Sequence, residues 1–185
     1  MAFAGVSSRM ADVRAGVAAA LARKRVALGF LAAGVTLVLA RPTWDTWRAG
    51  LAIAVAGECV RIWAAGHLEK GREVTRSGPY RFVRHPLYVG SATMAIGAVF
   101  AAQSVLVAVV AALYMGLTIT AAVRTEEASL REAFGSTYDD YRSSRAAPMA
   151  RAFSLARARR NREHRAVVGL LAGFGLLALK ALALR

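Results

Sequence analysis

The sequence has one cysteine, four prolines and only three lysines against 22 arginines, and its 11 acidic residues leave a formal charge of +14. A single Cys59 excludes an intrachain disulfide framework and a cysteine-built metal cluster. Its place inside an apolar segment predicts a small buried hydrophobe. Between Leu87 and Val123 there are 37 residues without Asp, Glu, Lys or Arg, and that absence excludes a small soluble core. What is present in excess is apolar surface. Of the 185 residues 57% are hydrophobic, far more than one such core uses, so the chain needs lipid as a second solvent.

The apolar residues fall into blocks at about 26–40, 49–68, 87–123 and 166–184. Crossing the hydrocarbon layer takes about 20 helical residues, so the 37-residue run predicts two helices folded as a hairpin, with its turn at Ala102-Gln103-Ser104. The small residues Gly90, Ser91, Ala92, Ala95, Gly97 and Ala98 on the first arm predict close backbone approach to a neighbouring helix. The expected fold is an all-α integral membrane helical bundle of about five transmembrane helices. The chain reads as one domain, 1–185, with the spans at 26–40 and 166–184 peripheral to a motif-bearing core at about 57–148.

Placement of the basic residues sets the orientation. The stretch to Arg25 carries five, Glu69 to His85 carries five and Arg124 to Arg165 carries ten, whereas the 41–48 connection has two and the hairpin turn none. Rich and poor loops alternate, which predicts a cytoplasmic amino terminus and cytoplasmic 69–86 and 124–165 loops. The charge excess is therefore a topology signal and not a nucleic-acid site; the run Arg157 to Arg162 is expected to meet anionic headgroups of membrane lipids. Arg23-Lys24-Arg25 before a short apolar run has the look of a signal peptide. Asp12, the long leader and the following Arg41-Pro42 speak against one. The preference for arginine over lysine fits a GC-rich genome, and with it a bacterial inner membrane.

Within the second block Glu58 and Arg61 are three apart and share a helix face, where a membrane forces them to pair or to face protein. Lys180, near the end of the last block, is expected to reach the membrane surface. Two loop segments need more than topology. In Ser77-Gly78-Pro79-Tyr80-Arg81-Phe82-Val83-Arg84-His85-Pro86-Leu87-Tyr88-Val89-Gly90, Gly78-Pro79 marks a turn and His85-Pro86 marks a helix start at the membrane surface. Such a start offers backbone N–H groups to an anion. The second segment carries Glu126 and Glu127 where the fourth span is expected to leave the bilayer, at the negative pole of its helix. There they call for Arg124 and Arg131, or for a cationic ligand. Both ends of a hairpin return to one membrane face, so the two segments are expected to meet in a pocket with an anion seat on one wall and carboxylates on the other.

Gly78-Pro79-Tyr80-Arg81 through Arg84-His85-Pro86-Leu87-Tyr88-Val89-Gly90, an apolar hairpin, then Glu126-Glu127, Leu130, Phe134-Gly135, Tyr138 and Tyr141 together resemble the isoprenylcysteine carboxyl methyltransferase family of membrane enzymes, kin to phospholipid N-methyltransferases. The resemblance implies an S-adenosylmethionine-dependent enzyme that methylates a lipophilic acceptor, such as the carboxylate of an isoprenoid thioether, at the cytoplasmic face. Carried over by position, cofactor contacts fall on Val74, Thr75, Tyr80, His85, Pro86, Leu87, Tyr88 and Glu126, and catalytic roles on Arg124 and Glu127. Where eukaryotic members have an arginine before the glutamate, this chain has Ala122, with Arg124 as its nearest substitute. Other readings are a phospholipid or other amine methyltransferase, a nicotinamide-dependent membrane reductase, whose chains are usually longer, and a noncatalytic membrane subunit.

Overall fold

The structure, a computed structural model, describes residue 27 and residues 29–184. The basic leader to Arg25 and the start of the 26–40 span lie outside the described residues. The described part is helical without a β-strand: α1 Gly29–Leu39, α2 Trp44–His67, a 3-10 turn Gly78–Arg81, α3 Pro86–Ala102, α4 Val105–Phe134, α5 Ser136–Arg142, α6 Leu155–Arg160 and α7 His164–Ala183. Helices α2, α4 and α7 are long and apolar enough to cross a membrane, and α1 and α3 are shorter apolar helices. The protein is an integral membrane helical bundle.

Local chemistry sets the ends. Helix α2 begins five residues before the apolar block because Thr43 and Thr46 cap each other: the Thr46 N–H donates to Thr43 Oγ1 at 3.3 Å and the Thr43 N–H to Thr46 Oγ1 at 3.1 Å, which satisfies two otherwise orphaned donors. The hairpin turns at the expected place. Gln103 takes a left-handed conformation (φ 49°), and Ser104 Oγ accepts the Val107 N–H at 3.4 Å to start α4.

Helices α2 and α3 run antiparallel and touch backbone to backbone. A Cβ added at Gly50 would lie 2.5 Å from Gly97 O, and one at Gly57 would lie 2.6 Å from Gly90 O, so glycine on both sides is what permits this approach. Around the far end of the seam Ala54, Ala101, Val107, Leu170 and Phe174 form the core, and Trp47 Nε1 donates to Phe174 O at 2.8 Å. Lys180, expected to reach outward, instead donates Nζ to Leu37 O at 2.5 Å and Val38 O at 2.7 Å, closing the end of α1. Cys59, expected in the interior, is exposed on α2.

Helix α4 corrects a further expectation. It does not stop where charge begins but continues for 30 residues to Phe134, about 45 Å at 1.5 Å per residue against a hydrocarbon layer of about 30 Å. Glu126 and Glu127 therefore lie along a continuous helix, two turns before its negative pole, and the helix-end argument for their needing a cation does not apply.

The segment 145–163 is laid over the end of α2 like a belt. Asn161 Nδ2 donates to Ala65 O at 2.8 Å and Leu68 O at 2.9 Å, the Ser154 N–H to Gly66 O at 3.1 Å, and Arg151 to His67 O at 3.2 Å. Arg151 also holds Glu73 through two bonds of 2.6 and 2.7 Å. Arg157 Nε donates to Glu69 at 2.7 Å, with Arg160 at 3.4 Å from the same oxygen. Of the arginine run expected to face headgroups, Arg157 faces protein instead, while Arg160 stays largely exposed.

Candidate functional site

The turn Gly78–Arg81 and the start of α3 form one wall of the site. Pro86 occupies the first helical turn and is fully buried, which fixes His85 at the N-cap with its ring, 16% exposed, turned toward α4. His85 Nε2 lies 3.3 Å from Glu127 Oε1, and Nδ1 lies 3.8 Å from Glu126 Oε2. The two segments that the hairpin was expected to bring to one membrane face thus meet at a single imidazole, within hydrogen-bond distance of Glu127 and within 4 Å of Glu126. A carboxylate only accepts, so the His85 Nε2–H is the donor to Glu127.

The partners of the acids differ from those expected. Arg84 donates to the same Glu127 oxygen at 3.2 Å. Arg131 is instead engaged with Asp139 at 3.2 Å, and Arg124 is exposed and makes no ion pair or hydrogen bond among the described residues. Glu127 is 20% exposed and held from two sides, whereas Glu126 is 43% exposed. Of the two, Glu126 is the carboxylate open to a ligand.

Beside Arg84 is a cavity of about 250 Å³ lined by Arg76, Tyr80, Arg81, Arg84, Tyr141 and Pro148, among others. Tyr141 O–H donates to Tyr80 O at 2.8 Å, tying α5 to the 3-10 turn. Burial, reinforced by the nearby Glu126 charge, raises the Tyr80 pKa. Burial, then neighbouring Tyr138, pushes Tyr141 up to about 12. Burial and the Glu127 charge raise Tyr138 as well. All three phenols stay neutral O–H donors. The His85 and Tyr88 rings are 5.8 Å apart and tilted by 37°, an aromatic pair next to the carboxylates.

Of the sequence-derived candidates, the structure brings together His85, Glu126 and Glu127, with Tyr88 stacked near His85, Pro86 and Leu87 in the same first turn, and Tyr80 within electrostatic reach of Glu126. Val74 and Thr75 are buried in the loop after α2, immediately before Arg76 of the cavity lining. There Thr75 Oγ1 accepts the Glu69 N–H at 3.2 Å, and no hydrogen bond joins either residue to the His85 cluster. Arg84, Tyr138 and Tyr141 were part of the motifs but not of the expected site. Buried Glu163, paired with Arg61 at 2.6 Å, was not singled out from the sequence, although it is the sole acid in the chain after Asp140, a signal that isolates it in an otherwise basic stretch. No group of three or more His, Cys, Asp or Glu among the described residues is placed to hold a metal ion.

Fold and site define a polytopic helical membrane protein whose polar chemistry gathers where a proline-started helix meets an acidic pair. Residues 52–137, which hold both motifs and the hairpin, match the phospholipid methyltransferase family, a family of membrane methyltransferases in keeping with the resemblance drawn from the motifs. Among curated proteins the chain is 30% identical over 119 residues to a nickel-cobalt-cadmium resistance protein of Alcaligenes xylosoxydans xylosoxydans, covering 58% of this chain and 54% of that one. It is 33% identical over 122 residues to a cobalt-zinc-cadmium resistance protein of Cupriavidus metallidurans, covering 60% and 54%. The chain thus spans about half the length of these relatives. No solved structure gives a significant match.

Proposed function

We propose that the protein transfers a methyl group from S-adenosylmethionine to a lipophilic acceptor at the cytoplasmic membrane face. The observation that carries this reading is the imidazole of His85 set 3.3 Å from Glu127 and 3.8 Å from Glu126, near a cavity lined by Arg76, Arg81 and Arg84. Cations lining the cavity and a partly exposed carboxylate, Glu126, near them suit a zwitterion with an additional cationic centre, which is the charge pattern of the cofactor. In this reading Arg81 or Arg84 meets the cofactor carboxylate and Glu126 its ammonium or ribose hydroxyls. Tyr80 donates its neutral O–H, and the His85–Tyr88 pair supports the adenosine.

The cofactor supplies an electrophilic methyl: the acceptor forms a bond to that carbon, the carbon–sulfur bond breaks, and the electron pair remains on sulfur as S-adenosylhomocysteine. The residues contribute placement and exclusion of water. With an anionic acceptor, such as the carboxylate of an isoprenoid thioether, no proton is removed and Arg124, exposed on α4 and otherwise unengaged, is the group to orient it. With a phospholipid amine, a reading favoured by the family matched over residues 52–137, the departing proton falls to Glu127 or His85. Incubating the protein in bacterial lipid extract with methyl-labelled cofactor, then identifying the labelled lipid, tests the proposal. Label in a carboxyl ester or in a methylated amine separates the two acceptors, and absence of any labelled lipid with every extract refutes the reading.

A further inference from the structure

The first turn of α3 carries His85, Pro86 and Tyr88, and it is held from beneath by a charge cluster that lies partly outside the matched segment. Arg61 of α2 crosses α3 at Gly90, where a Cβ would lie 2.5 Å from Arg61 Cγ; the missing side chain makes the channel for it. Its guanidinium donates to Leu87 O at 3.4 Å and to Ser91 Oγ, and Ser91 Oγ donates in turn to Leu87 O at 2.9 Å. From the other side Arg61 Nε donates to Glu163 Oε1 at 2.6 Å. Glu163, 7% exposed, immediately precedes α7 and is delivered there by the belt over α2.

A second acid competes for the same guanidinium. Glu58 Oε2 lies 3.7 Å from Arg61 Nε, its side chain is 6% exposed, and neither of its oxygens has a hydrogen-bond partner. Two buried carboxylates thus face one guanidinium, and only Glu163 receives an N–H. Glu163 draws Arg61 toward Leu87 and Ser91; Glu58, one turn back along α2, would draw it away from them.

We propose that Glu163 and Arg61 are positioning residues for the cofactor, setting the first turn of α3, and through it His85 and Tyr88, by holding Arg61 against Leu87 and Ser91. The inference rests on the methyltransferase reading. The full-length protein in nanodiscs is titrated with S-adenosylhomocysteine by calorimetry, and its melting temperature is followed in parallel. Glu163→Gln leaves Glu58 as the stronger attractor. It is expected to weaken binding about tenfold, the equivalent of one charge-assisted hydrogen bond, and to raise KM for the cofactor with kcat per folded enzyme unchanged. Glu58→Gln removes the competitor and is expected to stay within about twofold of the unsubstituted affinity. If Glu163→Gln does not fold, Arg61→Lys replaces it; the lysine keeps the charge but not the forked donors, and the same weakening is expected. Unchanged affinity in the variant tested, equal weakening by Glu58→Gln, or a lowered melting temperature without a change in affinity overturns the proposal. Failure of the unsubstituted protein to bind S-adenosylhomocysteine would instead overturn the methyltransferase reading, and it is read first.

Discussion

Glu127→Gln tests the central contact of the site, because the substitution keeps the shape of the side chain and removes only its charge. One oxygen of Glu127 accepts from Arg84 at 3.2 Å and from His85 at 3.3 Å. The two partners do not weigh equally: Arg84 is 45% exposed and His85 16%, and an exposed pair contributes about 0–1 kcal/mol. A charge-assisted bond to a half-buried group is worth about 1.5–3 kcal/mol, against about 0.5–1.5 for a neutral one. The glutamine oxygen still accepts, so the net cost is the difference, about 1 kcal/mol, or about 2–4 °C in melting temperature for a chain of this size. The effect on ligand is expected to be larger, since the ring set near Glu126 and Glu127 loses its firmer tether: about tenfold in affinity for S-adenosylhomocysteine. Arg84→Ala, which removes the exposed partner, is expected to change affinity less. Calorimetric titration of both variants in nanodiscs is the assay. Unsubstituted affinity in Glu127→Gln, or a greater loss in Arg84→Ala, would refute the assignment of His85 as the element that Glu127 holds.

Three further outcomes are expected. Glu126→Gln, at the open carboxylate, should weaken S-adenosylhomocysteine at least about tenfold without moving the melting temperature, as seen by calorimetry and differential scanning fluorimetry on the same sample. Gly57→Ala places a Cβ 2.6 Å from Gly90 O and 2.8 Å from the Met94 amide nitrogen; these are backbone atoms that cannot turn aside, so a loss of about 1–3 kcal/mol is expected, visible as a melting transition lower by several degrees. The Glu69 carboxyl is held below its ordinary value of 4.5, chiefly by the hydrogen bond from Arg157. A depressed folded-state value stabilises the belt above about pH 4.5 and withdraws that contribution as pH falls through the folded-state value. Protection against hydrogen exchange over 149–163, measured relative to intrinsic exchange at each pH, should therefore fall below pH 4.5 in the parent protein and show no such acid step in Glu69→Gln.

The hairpin and the convergence of His85 with the acidic pair were legible because they follow from length and charge alone. A run of 37 uncharged residues is too long for a single crossing and predicts a hairpin whose two ends share a face. The exact reach of α4 was not legible, since charged residues are good helix formers and nothing in Arg124 to Glu132 tells a helix to stop. Gly135, the first strong terminator, is where it does stop. The partners of Glu127 could not be read either: sequence neighbours Arg124 and Arg131 were the obvious candidates, but a rigid helix points them elsewhere and Arg84 arrives from across the bundle. Val74 and Thr75 came only from positional likeness, and the loop that holds them is organised by Glu69, Glu73 and Arg151. Glu163 could be found only by asking why one acid survives in a basic stretch.

The glycine seam between α2 and α3 has a mechanical consequence. Two helices whose main chains are in contact at Gly50–Gly97 and Gly57–Gly90 leave little room between them at those points, so α2 and the helix that starts at His85 are held at a fixed separation there. Only 6% of the apolar stretch of α4 is buried by the rest of the protein, against 39% for α2. Among the described residues little covers α4, so its apolar face is left to lipid tails, and their packing bears on how α4 sits against α3.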